Sequence, residues 1–135
     1  ICGSSLGGLI SLHALYSRPD VFRSAGVVSP ALGWADNEAL RHAQQKKLPP
    51  GAKLWIDVGT EEVVPGANGK NEFLERVRRL IHILESKGLT RGEDFHFEEV
   101  IGAKHHEADW AERFDRILVF FYGRGSNNHH TPRKR

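Results

Sequence analysis

Apolar positions along the chain fall into runs of two kinds. Over residues 6 to about 16, Leu9, Ile10, Leu12 and Leu15 put apolar side chains on several sides of a predicted helix, as suits a helix buried against a sheet. Pro19 ends it, because the residue before a proline avoids the helical region. Residues 25–29 (Ala-Gly-Val-Val-Ser) form a short apolar run, a predicted buried strand closed by Pro30 and followed by a loop carrying Trp34. Asp36 or Asn37 is positioned to cap a second helix running to about residue 47, before Pro49-Pro50-Gly51 breaks the chain. Residues 53–58 (Lys-Leu-Trp-Ile-Asp-Val) are the clearest strand. After a loop over 59–69, Phe73, Leu74, Val77, Leu80, Ile81 and Leu84 recur at helical spacing with Arg and Glu opposite, and Gly88 supplies the stop. Residues 95–101 predict another strand. A last helix is expected from about residue 107, burying Trp110, Phe114, Ile117, Leu118 and Phe121.

The resulting order is strand-end, helix, strand, helix, strand, helix, strand, helix. Such alternation predicts an α/β fold, a mostly parallel sheet with helices on both faces. No internal repeat is visible.

Composition narrows the setting only slightly. The chain has 135 residues, 39% of them hydrophobic, which is material for one core. No run of about 18 apolar residues occurs, so no membrane span is expected. Cys2, the single cysteine, excludes an internal disulfide and is expected to be a buried strand residue. The chain contains no methionine and opens on Ile1-Cys2, which read as the last residues of a strand; the expectation is a fragment, a processed product or one piece of a broken gene model, with localisation left unread. The net charge of +2 reflects the end of the chain. Arg124, Arg133, Lys134 and Arg135 leave 15 basic against 17 acidic residues over 1–123. Residues 124–135 are expected to be a basic, disordered tail, with no nucleic-acid or membrane partner implied.

The candidate chemistry begins at Gly3-Ser4-Ser5-Leu6-Gly7, a Gly-x-Ser-x-Gly turn that reads as a nucleophile elbow between a strand and a helix. The turn is expected to be tight enough that side chains two before and two after the serine would collide. Only Ser5 fits that frame, since centring on Ser4 would need glycine at Cys2 and Leu6. Alone the motif is weak. Its weight comes from the residues at the carboxyl ends of the other strands, where a parallel sheet collects functional groups. One such loop carries Gly59-Thr60-Glu61-Glu62, another Gly102-Ala103-Lys104-His105-His106-Glu107. Serine, acid, histidine is the chain order of the α/β-hydrolase triad. A serine hydroxyl needs a base to take its proton as it attacks a carbonyl, histidine can accept and return that proton near neutral pH, and a carboxylate fixes the ring. Leu6 N–H, just after the serine, is the natural oxyanion donor; a second normally comes from a loop upstream. Asp57, Glu61 and Glu62 are all open as the acid, and His105 and His106 as the base.

With these motifs in place, Gly3-Ser-Ser-Leu-Gly-Gly-Leu-Ile-Ser-Leu12, Pro19-Asp-Val-Phe22, Ser29-Pro-Ala-Leu-Gly-Trp34, Asp57-Val-Gly-Thr-Glu-Glu62 and Gly102-Ala-Lys-His-His-Glu-Ala-Asp-Trp110 resemble the putative-esterase family, the esterase D and enterochelin-esterase-like serine esterases. The resemblance covers residues 1 to about 122. In that family a tryptophan stands five residues after the histidine, which implies His105 rather than His106; the acid is the fourth residue of a Gly-x-x-Asp/Glu turn, which implies Glu62. It further implies hydrolysis of small-molecule carboxylic esters through an acyl-enzyme, with no metal or organic cofactor. Relatives differ in substrate: siderophore trilactones, feruloyl and acetyl esters of plant polysaccharide, S-formylglutathione, or mycolyl transfer. The family domain is about twice this length, so residues 1–123 are expected to be the C-terminal portion of an α/β-hydrolase without its first strands. The loop over 63–69 does not match the family pattern.

The same residues admit other readings. Trp34 is a candidate for lining an acyl or aryl pocket. Trp110 is expected to pack the last helix on the sheet and to position the histidine loop, and Trp55 to lie in the core. His105, His106 and Asp109 could form a metal site by residue type but lack a ligand spacing, so none is expected. His13, His42, His82 and His96 receive no role. From another functional class comes a non-catalytic fragment whose sheet edge pairs with a complementing N-terminal half or with a second copy as a homodimer. Acyl transfer by the same triad is the remaining alternative.

Overall fold

Four short strands, β1 (Cys2–Ser4), β2 (Ser24–Val28), β3 (Lys53–Gly59) and β4 (Phe95–Val100), lie side by side in their order along the chain, every pair parallel. The computed structural model describes residues 1–63 and 69–123; the expected tail over 124–135 and most of the loop over 63–69 lie outside the described residues. Between the strands run α1 (Leu6–Ser17), α2 (Trp34–Gln45) and α3 (Glu72–Ser86), and after β4 come α4 (Glu107–Ala111) and α5 (Phe114–Tyr122). A sheet that grows steadily in one direction through crossovers of one hand puts the connecting helices on one face.

The alternation along β3 divides the core accordingly. Leu54, Ile56 and Val58 join Ala25 and Val27 of β2 and Phe95 of β4 beneath Leu12 and Leu15 of α1, Leu40 and Ala43 of α2, and Val77, Leu80, Ile81 and Leu84 of α3. On the opposite face Val28 and Trp55 pack with Ile117 of α5, edged by Trp110, Phe120 and Phe121. The α/β expectation, a parallel sheet with helices on both faces, is what the molecule has.

Three local expectations are corrected. Neither Asp36 nor Asn37 caps α2: Ala35, Asp36 and Asn37 have φ of 46°, 53° and 63°, a left-handed turn that precedes the regular helix. Their groups are drawn elsewhere, Asn37 Oδ1 accepting from Arg76 Nε of α3 at 3.1 Å and the Ala35 carbonyl from Arg41 at 3.2 Å. The single last helix is two, broken at Glu112-Arg113, and of its expected buried residues Phe114 is 46% and Leu118 43% exposed. Cys2 is exposed, because β1 is an edge of the described sheet. Its thiol lies over Gly26, where a Cβ would come within 2.4 Å of the sulfur.

Candidate active site

Ser5 stands between β1 and α1 with φ 55° and ψ −116°, a conformation that L-residues rarely adopt. The backbone around it holds it there. Ser5 N–H donates to Val28 O at 3.0 Å, and Ser5 O accepts from Leu9 N–H at 3.1 Å and Ala31 N–H at 3.0 Å. A Cβ on Gly3 would sit 2.6 Å from the Gly7 carbonyl carbon, and one on Gly8 2.8 Å from Val28 O. A Cβ on Gly7 would meet nothing within 4 Å among the described residues. The expected collision therefore falls on Gly3 and Gly8, and Gly7 is the position that merely leaves room. Leu6 opens α1, where first-turn N–H groups have no partner within the helix, and its side chain is 58% exposed.

Glu62 is carried by a loop that two close approaches lock in place. Gly59, the last residue of β3, lies so near the following strand's loop that a Cβ there would be 2.2 Å from Ala103 O. Glu61 N–H donates to Ala103 O at 3.0 Å, Thr60 N–H to Val100 O at 3.0 Å, and Gly102 N–H to Thr60 Oγ1 at 2.9 Å. Asn71 ties the loop to α3 as well: its Oδ1 caps α3 through Leu74 N–H at 2.9 Å, while its Nδ2 donates to Gly59 O at 3.0 Å. The Glu62 side chain is fully buried, and its Oε1 accepts from Gly59 N–H at 2.6 Å and from the Ser29 hydroxyl.

His105 bridges the two. Its Nδ1 lies 2.9 Å from Glu62 Oε2 and its Nε2 2.9 Å from Ser5 Oγ. A carboxylate can only accept, so Nδ1 carries the proton and Nε2 is left to accept from the serine hydroxyl. The ring is held by Phe73 of α3, with centroids 4.2 Å apart, and by Trp110 of α4 standing edge-on at 4.9 Å. Trp110 thus both packs on the sheet and braces the histidine.

The other candidates are distributed elsewhere. Glu61 is exposed. Asp57 is buried on the opposite face of β3 from Ile56 and accepts from Trp55 Nε1 at 2.7 Å and Arg113 Nη2 at 2.9 Å. Its charged partner is the guanidinium of Arg113, and the Ser29 backbone N–H also favours the carboxylate. Burial pushes the Asp57 carboxyl above its ordinary value, and Arg113 and Trp55 pull it back. His106 is turned away, its Nδ1 accepting from Ala108 N–H at 3.1 Å, and Asp109 accepts from Lys104 N–H. His105, His106 and Asp109 therefore have separate partners, and no three His, Cys, Asp or Glu side chains among the described residues are grouped to hold a metal.

Trp34 is 63% exposed and borders a groove of about 540 Å³ that runs from Leu6 past Ile10 and Ala39 to Tyr16. The groove is mostly apolar. At its far end the Tyr16 hydroxyl is buried without a partner among the described residues, and burial raises it to about 12.

Two polar residues close to Glu62 are not assigned a role by the sequence. Arg113, 1% exposed, donates through Nη2 to Ser29 Oγ at 2.8 Å as well as to Asp57, and through Nη1 to Asp109 O at 3.0 Å. Ser29, buried with φ 40°, also accepts from Trp110 Nε1 at 3.1 Å. The signals for Ser29 are its place at the end of an apolar run and at the head of the Ser29–Trp34 segment that resembles the family, and for Arg113 there is none.

Solved structures with the same architecture include the BES protein from Bacillus cereus (TM-score 0.61, 20% identity, covering 88% of this chain and 44% of that one). The siderophore hydrolases EstA (0.61, 22%, 90% and 47%) and EstB (0.56, 28%, 88% and 46%) from Aspergillus nidulans share it as well. In sequence, the uncharacterized protein YbbA of Bacillus subtilis (strain 168) is 28% identical over 122 residues, 90% of this chain and 48% of that protein. The chain spans about half the length of each of these proteins. Residues 1–121 match the family described as Putative esterase, and the chain belongs to that esterase family.

Proposed function

We propose that Ser5, His105 and Glu62 are the triad of a serine esterase that cleaves carboxylic esters through an acyl-enzyme. The observation that carries this reading is the unbroken line from Ser5 Oγ to His105 Nε2 and from His105 Nδ1 to Glu62 Oε2, 2.9 Å at each step. His105 Nε2 takes the Ser5 proton as Oγ attacks the ester carbonyl carbon. Leu6 N–H, at the positive end of α1, stabilises the oxyanion. Collapse of the tetrahedral adduct expels the alcohol, which receives the proton from His105, and leaves Ser5 acylated. Water, deprotonated by His105, then attacks the acyl carbonyl and frees Ser5. Glu62 stays ionised and stabilises the imidazolium in both halves of the cycle. No step calls on a metal or an organic cofactor.

The groove between Leu6 and Trp34 begins at the residue that follows Ser5 in the chain, and its apolar lining suits an acyl or aryl group. The similarity to the siderophore hydrolase EstB supports siderophore esters as substrates to try first. Hydrolysis of a nitrophenyl acetate by this chain, with a burst of product as Ser5 is acylated, is the expected result. A rate that Ser5→Ala leaves unchanged would refute the assignment.

A further inference from the structure

The buried charges behind the triad form a connected set. Asp57 and Arg113 are fully buried and pair at 2.9 Å; Arg113 Nη2 also lies 3.8 Å from Glu62 Oε1, with the Ser29 hydroxyl between them. Burying three ionisable side chains in one place is costly unless their charges and hydrogen bonds are matched.

Counting donors and acceptors fixes the direction of each bond. A serine hydroxyl has one proton and two lone pairs. Ser29 Oγ receives Trp110 Nε1–H and Arg113 Nη2–H, groups that donate and cannot accept. Its own proton therefore points to Glu62 Oε1, the carboxylate oxygen that Gly59 N–H also reaches. With two donors on Oε1, Oε2 is the oxygen left facing His105 Nδ1. Charge runs in parallel with this. The Arg113 charge is taken up by Asp57 at 2.9 Å, so the Glu62 charge, 3.8 Å from the guanidinium, is left for the imidazolium. Without Asp57, Arg113 would neutralise Glu62 instead. The phenyl ring of Phe73 and the indole of Trp110, which flank His105 from α3 and α4, carry no charge; Lys104, His106, Glu107 and Asp109 stand beside it on its own loop and helix, and Glu62, backed by Arg113 and Asp57, is the charged group hydrogen-bonded to the ring.

We propose that Ser29, Arg113 and Asp57 are positioning residues for the acid: Ser29 and Arg113 fix which oxygen of Glu62 faces His105, and Asp57 keeps Arg113 from cancelling the Glu62 charge. This rests on the triad reading above. It gives the buried ion pair a function, since an apolar pair of equal volume could fill the same space.

The test is the rate at which a fluorophosphonate probe labels Ser5, followed against pH in wild type, Ser29→Ala and Asp57→Asn. Labelling requires neutral His105, so the rate climbs with pH to a plateau. In Ser29→Ala, Glu62 loses a donor; labelling is expected to slow about tenfold or more, with the midpoint moving up because the carboxylate becomes a stronger partner for the imidazolium. In Asp57→Asn, Arg113 turns its charge on Glu62 and the midpoint is expected to move down. A merely structural role would lower both rates and leave both midpoints in place, and that result overturns the proposal, as does a shift of both in one direction. Should one variant fail to fold, the sign of the other decides. Absence of labelling in wild type would instead bring down the triad reading itself, so the two failures are distinguishable.

Discussion

Glu62 Oε2 stands 2.9 Å from His105 Nδ1, while the side chain of Glu61, its neighbour in sequence, is exposed and only its backbone N–H engages the histidine loop, at Ala103 O. Glu62→Gln is expected to lower ester turnover by about ten-thousandfold, because the amide can hold the ring in the wrong tautomer. Glu61→Ala is expected to stay within about threefold of wild type, since its side chain touches neither partner. Steady-state rates of the two variants separate the acids; an inactive Glu61→Ala with an active Glu62→Gln would move the role.

The adjacent histidines divide in the same way. His105→Ala removes the proposed base and is expected to abolish turnover. His106 caps the short helix α4 through Ala108 N–H, so His106→Ala is expected to cost about 1 kcal/mol of stability and to retain most activity. Activity assays beside chemical denaturation check both halves.

At the elbow, Gly3 and Gly7 are expected to behave differently. Gly3→Ala would force a Cβ to within 2.6 Å of backbone, and a loss of about 3 kcal/mol with loss of Ser5 reactivity is the expected outcome. Gly7→Ala has open space in a helix and is expected to be neutral or to stabilise by up to about 1 kcal/mol. Denaturant midpoints of the pair decide; equal losses would mean that the motif's second glycine is also sterically required.

Buried charge in the core gives a stability prediction. Arg113→Met leaves Asp57 unpaired and is expected to cost about 3–5 kcal/mol, and Asp57→Leu combined with it to recover most of that loss. A double-mutant cycle by urea unfolding measures it, and additive losses would contradict the pairing.

His96 stacks on Trp55 with centroids 4.0 Å apart, and its Nε2 has no hydrogen-bond partner among the described residues, lying 3.9 Å from Glu98 Oε2. Burial holds its pKa below the ordinary histidine value, against the opposing pull of Glu98 and Asp57. A group depressed on folding contributes stability that is present above its unfolded pKa and is lost as pH falls through its folded one. Between about pH 7.5 and about pH 5, the melting temperature of wild type is expected to fall further than that of His96→Phe, which keeps the stack without the proton. Parallel falls would show that His96 is not the group responsible.

Much of this architecture is legible in the chain because it depends on local pattern. The apolar runs at Ala25–Val28 and Leu54–Val58 and the helical spacing from Phe73 to Leu84 mark elements whose neighbours hardly matter, and the Gly3–Gly7 turn marks where a strand hands over to a helix. The illegible parts depend on distant partners. Arg113 reaches Asp57 across 56 positions and Ser29 across 84, and in sequence it is one more arginine in a helical stretch. The same side chain, drawn into the core, coincides with the break between α4 and α5, where there is no proline or glycine to announce it. Cys2 reads as buried by type, yet its exposure is decided by which strands flank β1.

Whether Ser5 is a nucleophile is decided by the intact mass of the chain after exposure to a fluorophosphonate probe. A single adduct on wild type and none on Ser5→Ala is the expected result. No adduct on a folded wild-type chain, or an equal adduct on Ser5→Ala, would contradict it.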